Sequence, residues 1–198
     1  QTGRNIWQNA CGSDSLMVLF AGIDYGSKLA GTTAIAWQED GKMQLLLSEK
    51  KKDADVWLLD VIVAAGIQYI FIDAPLSLPI VYTQPNMEGD YFYRDADRIT
   101  GAMSPMFLGG LTARAMRLSR QLQQVGVQST EVYPAHLKRV MGEDWLAQLA
   151  QSTGFTLDEI SASNNHQQDA LLAWLSGWRW HHHTADIIGD PKEGQIVI

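Results

Sequence analysis

The sequence predicts an α/β protein on a mixed five-stranded sheet: three antiparallel strands, then parallel strands, flanked by helices, with an insertion after the fourth strand. Two apolar runs anchor this reading. Residues 16–26 are rich in branched and aromatic side chains and close on Gly22-Ile23-Asp24-Tyr25-Gly26, and Tyr69-Ile70-Phe71-Ile72-Asp73-Ala74-Pro75 repeats the pattern of a buried strand ending on an acid. The third observation is Asp40-Gly41 between two β-prone runs, the strongest short signal for a hairpin.

The elements follow in order. After a polar turn at 27–31, residues 32–37 have the β-branched and aromatic content of a second strand, and residues 43–47 return across the hairpin as a third. Asp53 can cap a helix over 56–63, and Gly66 stops it. A crossover helix at this point makes the first and fourth strands parallel neighbours. Residues 76–110 are rich in Pro, Gly, Met and Tyr and suit a flap over a site better than a core element; within them, 93–99 offer one or two helical turns with both signs of charge. Leu111, Ala115, Leu118, Leu122 and Val125 recur at helical spacing up to Gly126, with Arg114 and Arg117 on the other face. Residues 127–132 read as a further strand carrying Glu131 into Tyr133-Pro134, where proline ends regular pairing. Short helices at 135–141 and 143–150 precede a long one at about 165–180, and the chain closes on a loop at 187–191 and a short strand at 194–198.

Composition bounds the function. At 198 residues the chain is read as one domain over 16–198, with residues 1–15 a disordered arm or an expression remnant. Cys11 is the single cysteine, and no apolar stretch is long enough to span a membrane, so a cytoplasmic protein without a membrane partner is expected. The net charge of -7 argues against a broad basic face that coats nucleic acid. The charge is uneven, however. Residues 94–140 hold seven bases and three acids, a local +4 that leaves -11 elsewhere, which is compatible with a phosphate-bearing substrate and equally with a solvated helix face.

An acid at the end of a buried strand needs a reason. A turn residue before Gly26 is the plainer account of Asp24 alone, but with Asp73 on a parallel neighbour the two carboxylates converge at about 5 Å. Like charges at that spacing are stable only when one is protonated or a cation binds, and hard divalent ions such as Mg²⁺ or Mn²⁺ suit such oxygen ligands. His166 and Asp169 are three apart and share a helix face; alone the pair reads as surface or capping residues, and beside the strand-end acids it becomes a ligand and a ligand or proton carrier. Gly22 and Gly26, without side chains, let a metal or phosphate approach the backbone. Arg94 and Arg98 can clamp phosphate or merely pair with nearby acids. Glu131 can reach the acids from the neighbouring strand or bond the adjacent loop. His181-His182-His183 reads as exposed decoration, and the seven Trp residues read as core.

The segments Gly22-Ile23-Asp24-Tyr25-Gly26, Ile72-Asp73-Ala74-Pro75, Arg94-Asp95-Ala96-Asp97-Arg98, Glu131-Val132-Tyr133-Pro134-Ala135, His166-Gln167-Gln168-Asp169-Ala170 and Ile188-Gly189-Asp190-Pro191-Lys192-Glu193-Gly194 together resemble the motif series of a domain family of predicted nucleases with a ribonuclease H-like fold. The layout is also similar to the RuvC-type junction resolvases, which usually carry Glu where this chain has Asp73. The resemblance implies a two-metal phosphodiester hydrolase acting on DNA or RNA: Asp24 bridging two Mg²⁺ or Mn²⁺ ions, Asp73 and Asp169 each holding one, and His166 positioning or deprotonating water. It leaves Arg94 and Arg98 as substrate contacts, Glu131 as a supporting residue behind the ligands, and a homodimer among the expected states. Two other classes stay open: a nucleotide-binding ATPase related to actin-like and sugar kinases, and a non-catalytic binding module.

Overall fold

The computed structural model describes residues 18–84 and 86–198. The expected arm at 1–15, with Cys11, and the start of the opening run, Leu16 and Met17, lie outside the described residues.

Strands β1 (Phe20–Asp24), β2 (Ala34–Glu39) and β3 (Lys42–Leu47) form the antiparallel meander. Asp40 and Gly41 turn its hairpin with φ of 49° and 76°, the left-handed pair that a two-residue turn of this kind requires. Helix α1 (Ala54–Ala65) starts where the Asp53 carboxylate accepts the Asp55 and Val56 amides and stops at Gly66. It crosses to β4 (Tyr69–Asp73), which lies parallel to β1.

The insertion contains three short helices, α2 (Ile80–Thr83), α3 (Asp95–Thr100) and α4 (Pro105–Leu108). Then come α5 (Gly110–Gln124), β5 (Gln128–Val132), α6 (Pro134–Met141), α7 (Trp145–Thr153), α8 (Asn165–His181), β6 (Ile187–Ile188) and β7 (Ile196–Val197).

The sheet has seven strands in the order β3-β2-β1-β4-β5-β7-β6, two more than the sequence predicts. Five consecutive strands from the β3 edge, β3-β2-β1-β4-β5, match the expected layout. The additions come from the tail: β7 pairs parallel with β5, and residues 187–188, expected as loop, close antiparallel onto β7. Two-residue strands are too short to carry a periodic signal, and they cover an edge that β5 would otherwise expose. Among the described residues no helix is long and apolar enough to cross a membrane.

Strand alternation divides the side chains between two layers. Ala21, Ile23, Ile35, Ile70 and Ile72 pack against Leu58 and Ile62 of α1 and Ala115, Leu118 and Leu122 of α5. On the opposite face, Ala34, Ala36 and Phe71 meet α8 through Leu171, Ala173, Trp174 and Leu175. Every residue of α8 from Ala170 to Gly177 is buried, as expected for a helix enclosed on all sides.

Close approach of α8 to β1 explains Gly22. A Cβ added there would stand 2.0 Å from the Trp174 amide nitrogen and 2.4 Å from the Ala170 carbonyl oxygen, both rigid backbone atoms. Gly26 is also enclosed, with Thr32 Oγ1 at 2.4 Å from such a Cβ. The two glycines therefore serve packing, in place of the approach route for metal or phosphate that the sequence suggests. Gly22→Ala should destabilise the protein by about 3 kcal/mol or more. Urea denaturation measures this directly, and an unchanged midpoint would contradict the packing account.

Candidate active site

The same alternation that buries Gly22 under α8 places Asp24 on the α8 side of the sheet. The β1–β4 register pairs Asp24 with Asp73, bringing two strand-end carboxylates to the same level on one face. From above, α8 begins at Asn164, whose side chain accepts the Gln167 amide and fixes where the first turn starts. His166 and Asp169 then project from the first two turns on a shared face. His166 Nδ1 lies 2.7 Å from Asp24 Oδ2. Asp169 acts electrostatically on both Asp24 and Asp73. The structure thus brings Asp24, Asp73, His166 and Asp169 to one neighbourhood, and all four are half-buried.

Burial dominates the acid–base behaviour of the three carboxyls. Asp24 is pushed from 3.8 up to about 6, chiefly by desolvation, with the His166 hydrogen bond pulling down and Asp169 pushing up. Asp73 is raised well above the usual carboxylate range by burial, then by the charges of Asp24 and Asp169. Asp169 is raised by burial and partly relieved by Lys138 and His166.

A stability consequence follows for Asp24. Because its folded-state value lies above the unfolded one, its favourable contribution is complete below 3.8 and is lost as pH rises through about 6. In metal-free buffer, the stability difference between Asp24→Asn and the parent should move in favour of the variant between about pH 4 and about pH 7. Thermal melts across that window test this; a flat difference would contradict it.

The donor set is of the right kind for a hard divalent cation. Three carboxylates with too little positive charge around them are what Mg²⁺ or Mn²⁺ neutralises. The Asp73 and Asp169 side chains accept no hydrogen bond from a described residue, so their oxygens are free to coordinate. As the side chains stand, no three acidic, histidine or cysteine groups among the described residues form a closed metal cage. The chemistry of the donors is what fits a metal.

Glu131 and Arg94 fall elsewhere. Glu131 pairs in register with Ile72 and so points to the α5 side, opposite to Asp73. Its Oε2 accepts the Leu76 amide at 2.9 Å, and both of its oxygens receive Arg94, at 2.8 Å from Nη1 and 2.6 Å from Nη2. Arg94 is fully buried, and its remaining donors reach Asp97 Oδ1, Asp97 Oδ2 and Ser77 Oγ. All five guanidinium donors are committed. The expected phosphate clamp at Arg94 is therefore a structural ion network, and Glu131 supports the loop after β4. Arg98 is exposed, paired with Asp90 and stacked over Tyr93 at 4.9 Å.

Two braces hold the loops that follow the acid-bearing strands, and neither is evident from the motifs. After β1, Tyr25 donates its hydroxyl to Asp55 at 2.6 Å, while Arg114 bonds Asp55 and the Gly26 carbonyl and lies over the Tyr25 ring. After β4, the Arg94–Glu131 network is joined by Glu193, which accepts the Ile80 and Asp95 amides and ties the tail to the insertion. His181 packs against Phe20 and Trp180 and is not the exposed decoration expected; His182 stacks on Trp178.

No protein-family model and no curated protein sequence matches the chain. Among solved structures it is similar to T. thermophilus RuvC in complex with a Holliday junction substrate, at 15% sequence identity and a TM-score of 0.47, over 87% of this chain and 98% of that one.

Proposed function

We propose that this protein is a divalent-metal-dependent phosphodiester hydrolase, a nuclease acting on nucleic acid. The observation that carries the reading is the convergence of Asp24 and Asp73, at paired positions of adjacent parallel strands, beneath the helical turns that present His166 and Asp169. Asp24, Asp73 and Asp169 would hold Mg²⁺ or Mn²⁺, with room in the donor set for two ions. When bound, such ions polarise the phosphodiester and lower the pKa of attacking water.

The chain's own residues supply the rest. An ionised Asp24 accepts Nδ1–H of His166, which fixes the imidazole orientation and, in the neutral tautomer, presents the Nε2 lone pair, which has no hydrogen bond to a described residue. Nε2 is then the proton acceptor for water: the water oxygen bonds to phosphorus, the bond from phosphorus to one ester oxygen breaks, the departing oxygen takes a proton from solvent, and the imidazolium returns its proton to solvent. Half-burial of the cluster strengthens these electrostatic effects relative to open solvent. Arg98, held only by the exchangeable Asp90 pair and a ring contact, serves as a substrate-side cation.

A panel of single- and double-stranded DNA and RNA, incubated with Mg²⁺ or Mn²⁺, tests the reading. Cleavage should require the ion and fall by roughly a thousandfold in Asp24→Asn. Cleavage that survives this substitution unchanged would place the activity elsewhere.

A further inference from the structure

The seven bases of residues 94–140 separate sharply once their partners are known. Arg94 is spent on Asp97 and Glu131 and Arg114 on Asp55, while Arg98 is held by its exposed, exchangeable pair with Asp90. Arg139 donates to the Thr100 carbonyl at 2.6 Å and so holds the end of α3. Arg117, Arg120 and Lys138 have no ion pair among the described residues. Of these three, only Lys138 stands beside the acidic cluster. It lines a cleft of ≈ 530 Å³ between α6 and α8, together with Arg139, Glu143, Asn165, Gln168 and Asp169. Asp169 is thus shared by the cleft and the candidate active site.

The character of the cleft narrows what it can hold. Its volume is that of a site for one nucleotide-sized ligand. No aromatic side chain is among the described residues that line it, so a base finds no ring to stack on there. They offer an exposed ammonium, two carboxamides that both donate and accept, and a guanidinium already anchored at one end. Lys138 has one ring contact, with Trp145 at 5.9 Å, and lies close enough to Asp169 to offset part of the rise that burial imposes on its carboxyl. A cation left unpaired next to a carboxylate cluster has a use when a polyanion must be brought against that cluster.

We propose that the α6–α8 cleft is a phosphodiester-binding subsite contiguous with the acidic cluster. Lys138 contacts a backbone phosphate of nucleic acid, and Asn165 and Gln168 bond to sugar and phosphate oxygens, next to the position where Asp169 serves the reacting phosphate. This deepens the nuclease reading and rests on it for the choice of polymer. Because the contacts are to backbone, the subsite contributes affinity and register without base preference.

The test is fluorescence anisotropy with labelled DNA and RNA oligonucleotides, single- and double-stranded, in Ca²⁺, for the parent, Lys138→Ala, Lys138→Glu and Arg120→Ala. Arg120 removes the same charge from α5, on the far face of the sheet. Lys138→Ala should weaken binding about five- to tenfold on every oligonucleotide it binds and lower the salt slope by about 0.7 to 0.9. Lys138→Glu should weaken it further, and melting temperatures should not change. Equal affinity for Lys138→Ala and the parent, an equal loss for Arg120→Ala, or no binding of any oligonucleotide would each overturn the subsite. Failure of the nuclease reading looks different: Lys138-dependent binding would persist while no oligonucleotide is cut in Mg²⁺ or Mn²⁺.

Discussion

Asp73→Asn should make the metal-free protein more stable and the loaded protein inactive. Asp73 is raised well above the usual carboxylate range by burial and by the neighbouring charges of Asp24 and Asp169. Its side chain accepts no hydrogen bond from a described residue, so replacement by the isosteric amide removes an unfavourable charge and sacrifices no internal bond. At neutral pH the gain should be about 1 to 3 kcal/mol, or roughly 2 to 4 °C in melting temperature for each kcal/mol in a chain of this length. Activity should drop by roughly a thousandfold, since one anionic ligand is lost from the site. Functional sites are where stability and activity oppose each other in this way. Parallel thermal melts in chelator and cleavage assays in Mn²⁺ read both effects. A variant that is less stable and still active would show Asp73 to be a structural acid.

Arg94→Ala should have the largest effect on stability. The guanidinium joins Ser77 at the start of the insertion, Asp97 in α3 and Glu131 at the end of β5. Removing it leaves Glu131 and Asp97 buried without a counter-charge and opens a cavity, a combination that costs about 3 to 5 kcal/mol. Arg94→Lys should not rescue it, because an ammonium has three donors and no planar fork to satisfy the five acceptor contacts. The damage should concentrate in residues 76–110, where Leu76, Ser77 and the start of α3 all depend on the network. Limited proteolysis of Arg94→Ala should cut there first, ahead of the sheet. A variant with parental stability and intact proteolytic resistance but weakened nucleic-acid binding would restore Arg94 to the substrate.

The pairing of Asp24 with Asp73 is legible in the sequence because two apolar runs each end on an acid and the helix between them forces a parallel arrangement. One crossover and one strand-end rule suffice. Glu131 is not legible in the same way. Whether a strand-end acid joins its neighbours depends on register, and a single-residue step puts Glu131 opposite Ile72 and therefore on the wrong face.

Arg94 misleads for a different reason. Its partner Glu131 is 37 residues away, so the buried ion network cannot be inferred from the local charge pattern, which looks like a solvated turn or a phosphate clamp. Gly22 looks like space for a ligand, and only the path of α8 shows that the space is already taken by backbone. The sixth base in the same run, Lys138, becomes informative once the structure shows which of its neighbours are already paired.

The central claim is that Asp24, Asp73 and Asp169 together hold a divalent cation. The most direct measurement is anomalous diffraction from crystals soaked in Mn²⁺, for the parent and for Asp24→Asn. The parent should show anomalous density between the ends of β1 and β4 and the first turns of α8, and Asp24→Asn should lose it. Mn²⁺ found only at other positions, or unchanged in Asp24→Asn, would contradict the account.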